Sequence, residues 1–406
     1  MDMVDVYDAQ KRLKGTVHHT ELSHSLTFSK MAKGEIYLKC ENQQKTGSFK
    51  VRGAYNKISA IKDPNVKTVV ASSAGNHAQG VAYAAAERGL EAIIVMPQSA
   101  PIAKISATEN YGAKVVLYGD VYDDAYAKAM EIVKEKNALF IHPFDDDEVI
   151  AGQGTIGLEL VNDMPDLDMI IVPAGGGGLL AGVAFAVKHI NPRIKVVGVQ
   201  AARADAIVQS FKAGKLIESD KIFTIADGIA VKRPGDKTLK YISEYVDDMM
   251  TVTDDEIAAT IIQLIERSKQ IVEPAGATSL ALALSGRLDL IDKKVACVLS
   301  GGNIDVGFVH KIIEKGMVSR GRQLKFSVIL SDKPGSLEEF AHIMGVNGAN
   351  IVSVQYDRMS AELQLNETIL HIACEVSGFE HGRRVINSLE KHGYNIIFND
   401  DKYCVC

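Results

Sequence analysis

The chain has 406 residues, too many for one ordinary hydrophobic core, so two or three domains are expected. Its 47% hydrophobic and 24% charged residues fit a globular protein. The 45 basic against 51 acidic side chains, a net charge of −6, give no reason to invoke nucleic acid.

Apolar runs such as Ala92 to Met96 are strand-sized, so no membrane span is expected. Residues 1–14 carry acids rather than a basic stretch followed by an apolar one, so the reading is no secretory signal and a cytoplasmic protein. Five cysteines (Cys40, Cys297, Cys374, Cys404, Cys406) are too few for a disulfide framework and show no CxxC or Cys/His ligand spacing. Reduced thiols are expected, and Cys404-Val405-Cys406 reads as a frayed tail.

Along the chain, residues 66–71, 91–96, 113–118 and 138–141 read as strands, separated by helical patterns over 77–88, 103–112 and 122–136. A second series has strands over 169–173, 195–200 and 294–299. Helices over 153–163, 180–189, 254–269 and 275–284 separate or flank them. This βαβ cadence predicts parallel sheets covered on both faces, with a crevice between two sheets, the usual place for a cofactor. Lys315 to Arg322 reads as a linker. Beyond it the order is β–α–β–β–α–β, with strands over 324–330, 350–358, 367–375 and 395–398 and helices over 337–346 and 380–392, a ferredoxin-like pattern.

Four segments carry chemistry. In Lys45-Thr46-Gly47-Ser48-Phe49-Lys50-Val51-Arg52-Gly53-Ala54, Lys50 precedes helix-forming residues. Held in an apolar cleft, its amine would be desolvated and reactive toward carbonyls. Ser72-Ser73-Ala74-Gly75-Asn76-His77 follows a buried strand and opens a helix, a turn whose N–H groups and hydroxyls suit a carboxylate or phosphate, or simply cap the helix. Gly175-Gly176-Gly177-Gly178-Leu179 lies between strand and helix, where a backbone without Cβ atoms can wrap a phosphate. Ser300-Gly301-Gly302-Asn303 ends a strand, where a hydroxyl can meet a ligand or form an ordinary turn.

These segments, in this order, resemble the pyridoxal-phosphate lyases of the tryptophan-synthase-β-like fold, and most closely the threonine ammonia-lyases (threonine dehydratases). Ala226-Asp227-Gly228-Ile229-Ala230 and Glu273-Pro274-Ala275-Gly276-Ala277 resemble that family's cleft-lining segments. The resemblance covers roughly residues 5–318, and the remainder resembles a single ACT regulatory domain. It implies an α/β fold of two parallel-sheet subdomains in residues 1–318, the smaller one (about 48–145) inserted in the larger, followed by a regulatory domain over 319–406.

It also implies roles. Lys50 holds pyridoxal 5'-phosphate as a Schiff base and takes the Cα proton, Gly175–Gly178 and Leu179 hold the phosphate, and Asn76 bonds the phenolic oxygen. Phe49 packs near the ring, and Ser300 faces the pyridine nitrogen. Ser72, Ser73, Ala74, Gly75 and Asn76 receive the substrate carboxylate. A neutral hydroxyl at Ser300 favours β-elimination over transamination. The expected reaction converts L-threonine to 2-oxobutanoate and ammonia. The expected assembly is a homotetramer, with isoleucine or valine as effector near Asp332, Gly335 and Asn350. Relatives in the wider family bind a cation near Ala226-Asp227. Phe223 and Thr224 lie upstream here with Asp220 as the nearby acid, so no metal is assigned.

His77 reads as structural rather than as a second acid or base, and Asp145-Asp146-Asp147-Glu148 as a solvated loop rather than a metal site. Three rival functions stand beside this reading. Gly176-Gly177-Gly178-Leu179-Leu180-Ala181 formally fits a dinucleotide fingerprint, but the next strand ends at Val199-Gln200 without the acid that would hold a ribose. Serine racemisation and β-replacement share the core motifs. An amino acid sensor with an inert large domain would have no use for both Lys50 and Ser300. Biosynthetic and catabolic roles are not separated by the motifs.

Overall fold

The computed structural model describes residues 1–219, 222–359 and 363–398. It divides into two compact units, Met1–Asp305 and Val306–Cys406.

The first unit contains two sheets. Leu22–His24, Glu35–Lys39, Lys294–Val298, Met169–Pro173, Lys195–Ala201 and Asp248–Val252 lie side by side in that order, parallel except for the first. The second sheet is all parallel, in the order Lys114–Leu117, Glu91–Met96, Thr68–Ser72, Leu139–Phe140. Every residue of Thr68–Ser72 and Met169–Pro173 is buried, as expected of strands covered on both faces. The loops that follow Thr68–Ser72, Met169–Pro173 and Lys294–Val298 carry the serine-asparagine turn, the glycine run and Ser300. All three lie at the carboxyl ends of parallel strands, where open α/β sheets bind ligands.

Helices close the faces. Asp147–Asp163 runs against both Lys50–Ser59 and Gly178–Ile190, and glycines allow the approach. A Cβ at Gly152 would come within 2.6 Å of Arg52 O, and one at Gly157 within 2.9 Å of Val183 O. Behind Lys50 the fully buried Arg52 guanidinium donates to Glu41 (2.8 and 2.9 Å) and to Glu159 (2.6 and 3.0 Å). Fully buried Lys39 also reaches Glu159, at 2.6 Å.

In the second unit a four-stranded antiparallel sheet runs Asn350–Asp357, Glu367–Glu375, Gln323–Ser331, Ile396–Ile397, with helices Ser336–Val346 and Phe379–Lys391. This is the ferredoxin-like order. Phe326, Phe340, Leu370, Val385 and Leu389 fill its core.

Three expectations are corrected. Lys315–Ser319 is not linker but the last part of the helix Val306–Ser319, whose apolar residues continue the helical period through Met317. The helix expected over 153–163 begins at Asp147. The one expected over 254–269 is α-helical only through Gln263 and then becomes a π turn, Leu264–Ser268.

Candidate active site

Lys50 is the first residue of the helix Lys50–Ser59. Its segment is sewn to the Ser300 segment: Phe49 N donates to Ser300 O (3.1 Å), Gly302 N to Gly47 O (2.8 Å) and Asn303 Nδ2 to Thr46 O (2.7 Å). Ser300 is buried. The Phe49 ring centroid lies 5.3 Å from Lys50 Nζ, and that nitrogen donates to Pro143 O at 2.9 Å. Desolvation pushes the amine pKa down to about 8, against the pull of Glu273.

Ser72 ends its strand with a buried hydroxyl, Ser73 Oγ accepts from Gly75 N at 3.2 Å, and Gly75 precedes the helix Asn76–Glu87. Ala74 packs on the small-sheet core. Asn76 is gripped at both ends of its amide: Nδ2 donates to Glu273 Oε1 at 2.7 Å, and Oδ1 accepts from Asn303 Nδ2 at 2.8 Å. Glu273 was visible in the sequence only as part of a cleft-lining segment. The structure makes it a site residue, buried, with desolvation and Asp227 pushing its pKa up to about 8. Its one local signal is an acid directly before the Pro274 that opens a helix. His77, buried, bonds Ile141 O through Nε2 at 2.9 Å, and desolvation takes it down to about 3, so it stays neutral.

The glycine run ends in a helix N-terminus. Gly177 has φ +97 and the helix starts at Gly178, so the first-turn N–H groups of Gly178 and Leu179 have no intrahelical acceptor. Gly175 lies against Ile229, whose Cα would be 2.9 Å from an added Cβ, and a Cβ on Gly176 would overlap the Phe144 ring. The run's glycines therefore also admit neighbours that a side chain would displace. Thr238 Oγ1 donates to Gly176 O at 2.6 Å.

Of the acids at 145–148, Asp147 and Glu148 open the helix Asp147–Asp163 with Glu148 exposed, while Asp145 and Asp146 are half-buried and bonded to backbone N–H groups. Asp145 Oδ1 accepts from Lys237 N (2.9 Å) and Thr238 N (3.1 Å) at the start of the helix Asp236–Tyr245. Asp146 caps the helix Asp147–Asp163 through Glu148 N and Val149 N. Among the described residues no cluster of His, Cys, Asp and Glu could hold a metal ion. Asp220, Cys404 and Cys406 lie outside the described residues. Cys40, Cys297 and Cys374 are free and buried. No helix among the described residues is long and apolar enough to cross a membrane.

In the second unit, Asp332 and Gly335 line a pocket of about 380 Å³ with Leu330, Leu337, Tyr356 and Arg358. Arg358 pairs with Asp332 at 3.0 Å. Asn350 does not line this pocket; it donates to Glu375 at 3.2 Å.

The cleft residues fit a phosphorylated aldehyde cofactor. A desolvated amine and a helix N-terminus share the cleft, and the buried hydroxyls of Thr46, Ser48 and Ser72 lack hydrogen-bond partners. Comparison with known proteins agrees. The pattern of the family described as "Pyridoxal-phosphate dependent enzyme" matches residues 13–301. The solved structure of maize serine racemase superposes with a TM-score of 0.74 at 37% identity, covering 78% of this chain and 98% of that one. Fold and site thus define a pyridoxal-phosphate enzyme.

An L-threonine ammonia-lyase of Thermotoga maritima is 46% identical over 393 residues, 97% of this chain and 98% of its own length. The catabolic L-threonine dehydratase TdcB of Escherichia coli is 48% identical over 311 residues, 76% of this chain and 94% of its own. The chain belongs to the threonine ammonia-lyase family of pyridoxal-phosphate enzymes.

Proposed function

We propose that the chain converts L-threonine to 2-oxobutanoate and ammonia, and L-serine to pyruvate. The observation that carries this reading is the desolvated Lys50 amine in a cleft bounded by the Ser300 segment and the Asn76–Glu273–Asn303 cluster. When bound, pyridoxal 5'-phosphate supplies an electron sink for charge developing at the substrate Cα. Lys50 Nζ, brought within reach of neutrality near pH 8, accepts the Cα proton. The N–H groups of Gly175, Gly176, Gly177, Gly178 and Leu179 hold the phosphate. The turn Ser72, Ser73, Ala74, Gly75 and Asn76 holds the substrate carboxylate.

Asn76 serves the phenolic oxygen, and its clamped amide supports that role by fixing its orientation. Phe49 flanks the ring. Ser300 serves the pyridine nitrogen, where a neutral hydroxyl suits departure of the β-hydroxyl over build-up of a carbanion. The net change is loss of one water, then addition of one water to release ammonia. Incubation with L-threonine should yield a 2-oxo acid and ammonia in equal amounts. Racemised serine without keto acid would overturn the lyase reading in favour of racemisation.

We further read residues 1–318 as the catalytic domain and 319–406 as an ACT-like regulatory domain. One acidic side chain, Asp332, and two basic ones, Lys333 and Arg358, in an otherwise partly apolar pocket support binding of a zwitterionic amino acid such as isoleucine or valine beside Asp332 and Gly335. Asn350 would contribute only across a contact between copies. Such control suits a cytoplasmic biosynthetic enzyme feeding isoleucine formation, with a homotetramer as the assembly. Unchanged kinetics with both amino acids present would count against control by either of them.

A further inference from the structure

Four consecutive residues, three of them in no motif and the fourth the first of the acidic run, join the Lys50 segment to the glycine run. His142, Pro143, Phe144 and Asp145 follow the strand Leu139–Phe140. Pro143 O receives the Lys50 amine at 2.9 Å. The Phe144 ring occupies the space a Cβ on Gly176 would need, and its Cβ lies 2.9 Å from where one on Gly178 would stand. Asp145 Oδ1 takes Lys237 N and Thr238 N at 2.9 and 3.1 Å, and Thr238 Oγ1 in turn holds Gly176 O. One short turn therefore touches the lysine, the glycine run and the helix that braces that run.

The turn is held from inside by its first residue. His142 Nδ1 accepts from Asp145 N at 2.7 Å and from Phe144 N at 3.3 Å. A ring nitrogen that accepts two N–H groups must be unprotonated. The ring also stands edge-on to Phe144 (centroids 4.8 Å apart, 88°) and to Phe140 (6.2 Å, 72°).

We propose that His142 is a positioning residue whose Nδ1 lone pair sets the 142–145 turn, and through it the placement of both the Lys50 amine and the Gly175–Gly178 run. It acts through Pro143 and Phe144. The inference rests on the reading of Lys50 and the glycine run as the cofactor site. In well-oriented sites a misplacement of about 1 Å lowers rates roughly 100-fold, which sets the size of the effect expected.

The test compares two substitutions in the full chain, each stripped of cofactor and titrated with pyridoxal 5'-phosphate by visible absorbance. His142→Asn keeps a short side-chain acceptor that can bond backbone N–H groups two and three residues on. His142→Phe keeps the edge-on ring packing without an acceptor. The expected result is cofactor affinity within about 3-fold of the parent for H142N, and a loss of about 10-fold or more for H142F with kcat lowered and KM for threonine little changed. Parent-like affinity and kcat in H142F overturn the proposal, as does equal impairment of both variants, which would assign the role to ring packing. If H142F fails to fold, His142→Leu, which also lacks an acceptor, takes its place, and parent-like affinity and kcat there overturn the proposal. A parent protein that binds no cofactor at Lys50 would instead sink the underlying site assignment.

Discussion

The buried ion set behind the lysine helix makes a quantitative prediction. Arg52 and Lys39 carry two positive charges, and Glu41 and Glu159 two negative ones. Arg52→Met keeps most of the volume but removes one cation, leaving Glu41 without an ionic partner while Lys39 still neutralises Glu159. Removing one member of such a set costs about 3–5 kcal/mol, because a buried charge is left uncompensated. At roughly 2 °C per kcal/mol for a large domain, the melting transition of the unit Met1–Asp305 should fall by about 6–10 °C.

The double variant Glu41→Gln/Arg52→Met removes the orphaned charge. The glutamine carbonyl can still accept from Thr20 Oγ1, which donates to Glu41 Oε1 at 2.5 Å in the parent. The double variant should recover at least half of the loss. Calorimetry of the parent, single and double variants at pH 7 measures all three. A loss under about 1 kcal/mol in R52M, or a double variant no more stable than the single, would refute the charge argument.

Lys50→Met should stabilise the cofactor-free protein at pH 7, because burial disfavours the ammonium. The folded pKa of about 8 lies below the ordinary 10.5, so the advantage should be full below pH 8 and vanish as pH rises toward 10.5. Denaturant unfolding at pH 7 and pH 10.5 tests this, and a pH-independent gap would contradict it. Gly176→Ala places a methyl group into the Phe144 ring. With overpacking of about 1–3 kcal/mol, cofactor affinity should fall about 5- to 150-fold, read by titration. Arg358→Gln should abolish any kinetic response to isoleucine or valine while leaving turnover without effector unchanged, because the residue belongs to the second unit.

Much of this architecture was legible because apolar runs met clear boundaries. The strands at 91–96 and 169–173 stand where the sequence puts them, since every residue after the first in one and all in the other are buried. Glu35–Lys39 was not legible. Its charged ends suggest a surface segment, yet Lys39 is buried because Glu159 meets it from a distant helix. Asp248–Val252 opens on an acid and was missed for the same reason. Asp145 reads as solvated because its partners, Lys237 N and Thr238 N, are remote in sequence.

The site divides along the same line. The serine, glycine and Ser300 segments are strand-end loops and Lys50 opens a helix, so each is legible from its own stretch of sequence. Glu273 and the 142–145 turn acquire their places only through contacts with Asn76, Lys50 and Gly176.

The most direct test is borohydride reduction of the enzyme with pyridoxal 5'-phosphate, followed by proteolysis and peptide mapping. A single pyridoxyl group on the Lys50 side chain is the result predicted. A label on another lysine, or none despite excess vitamer, would contradict the account at its centre.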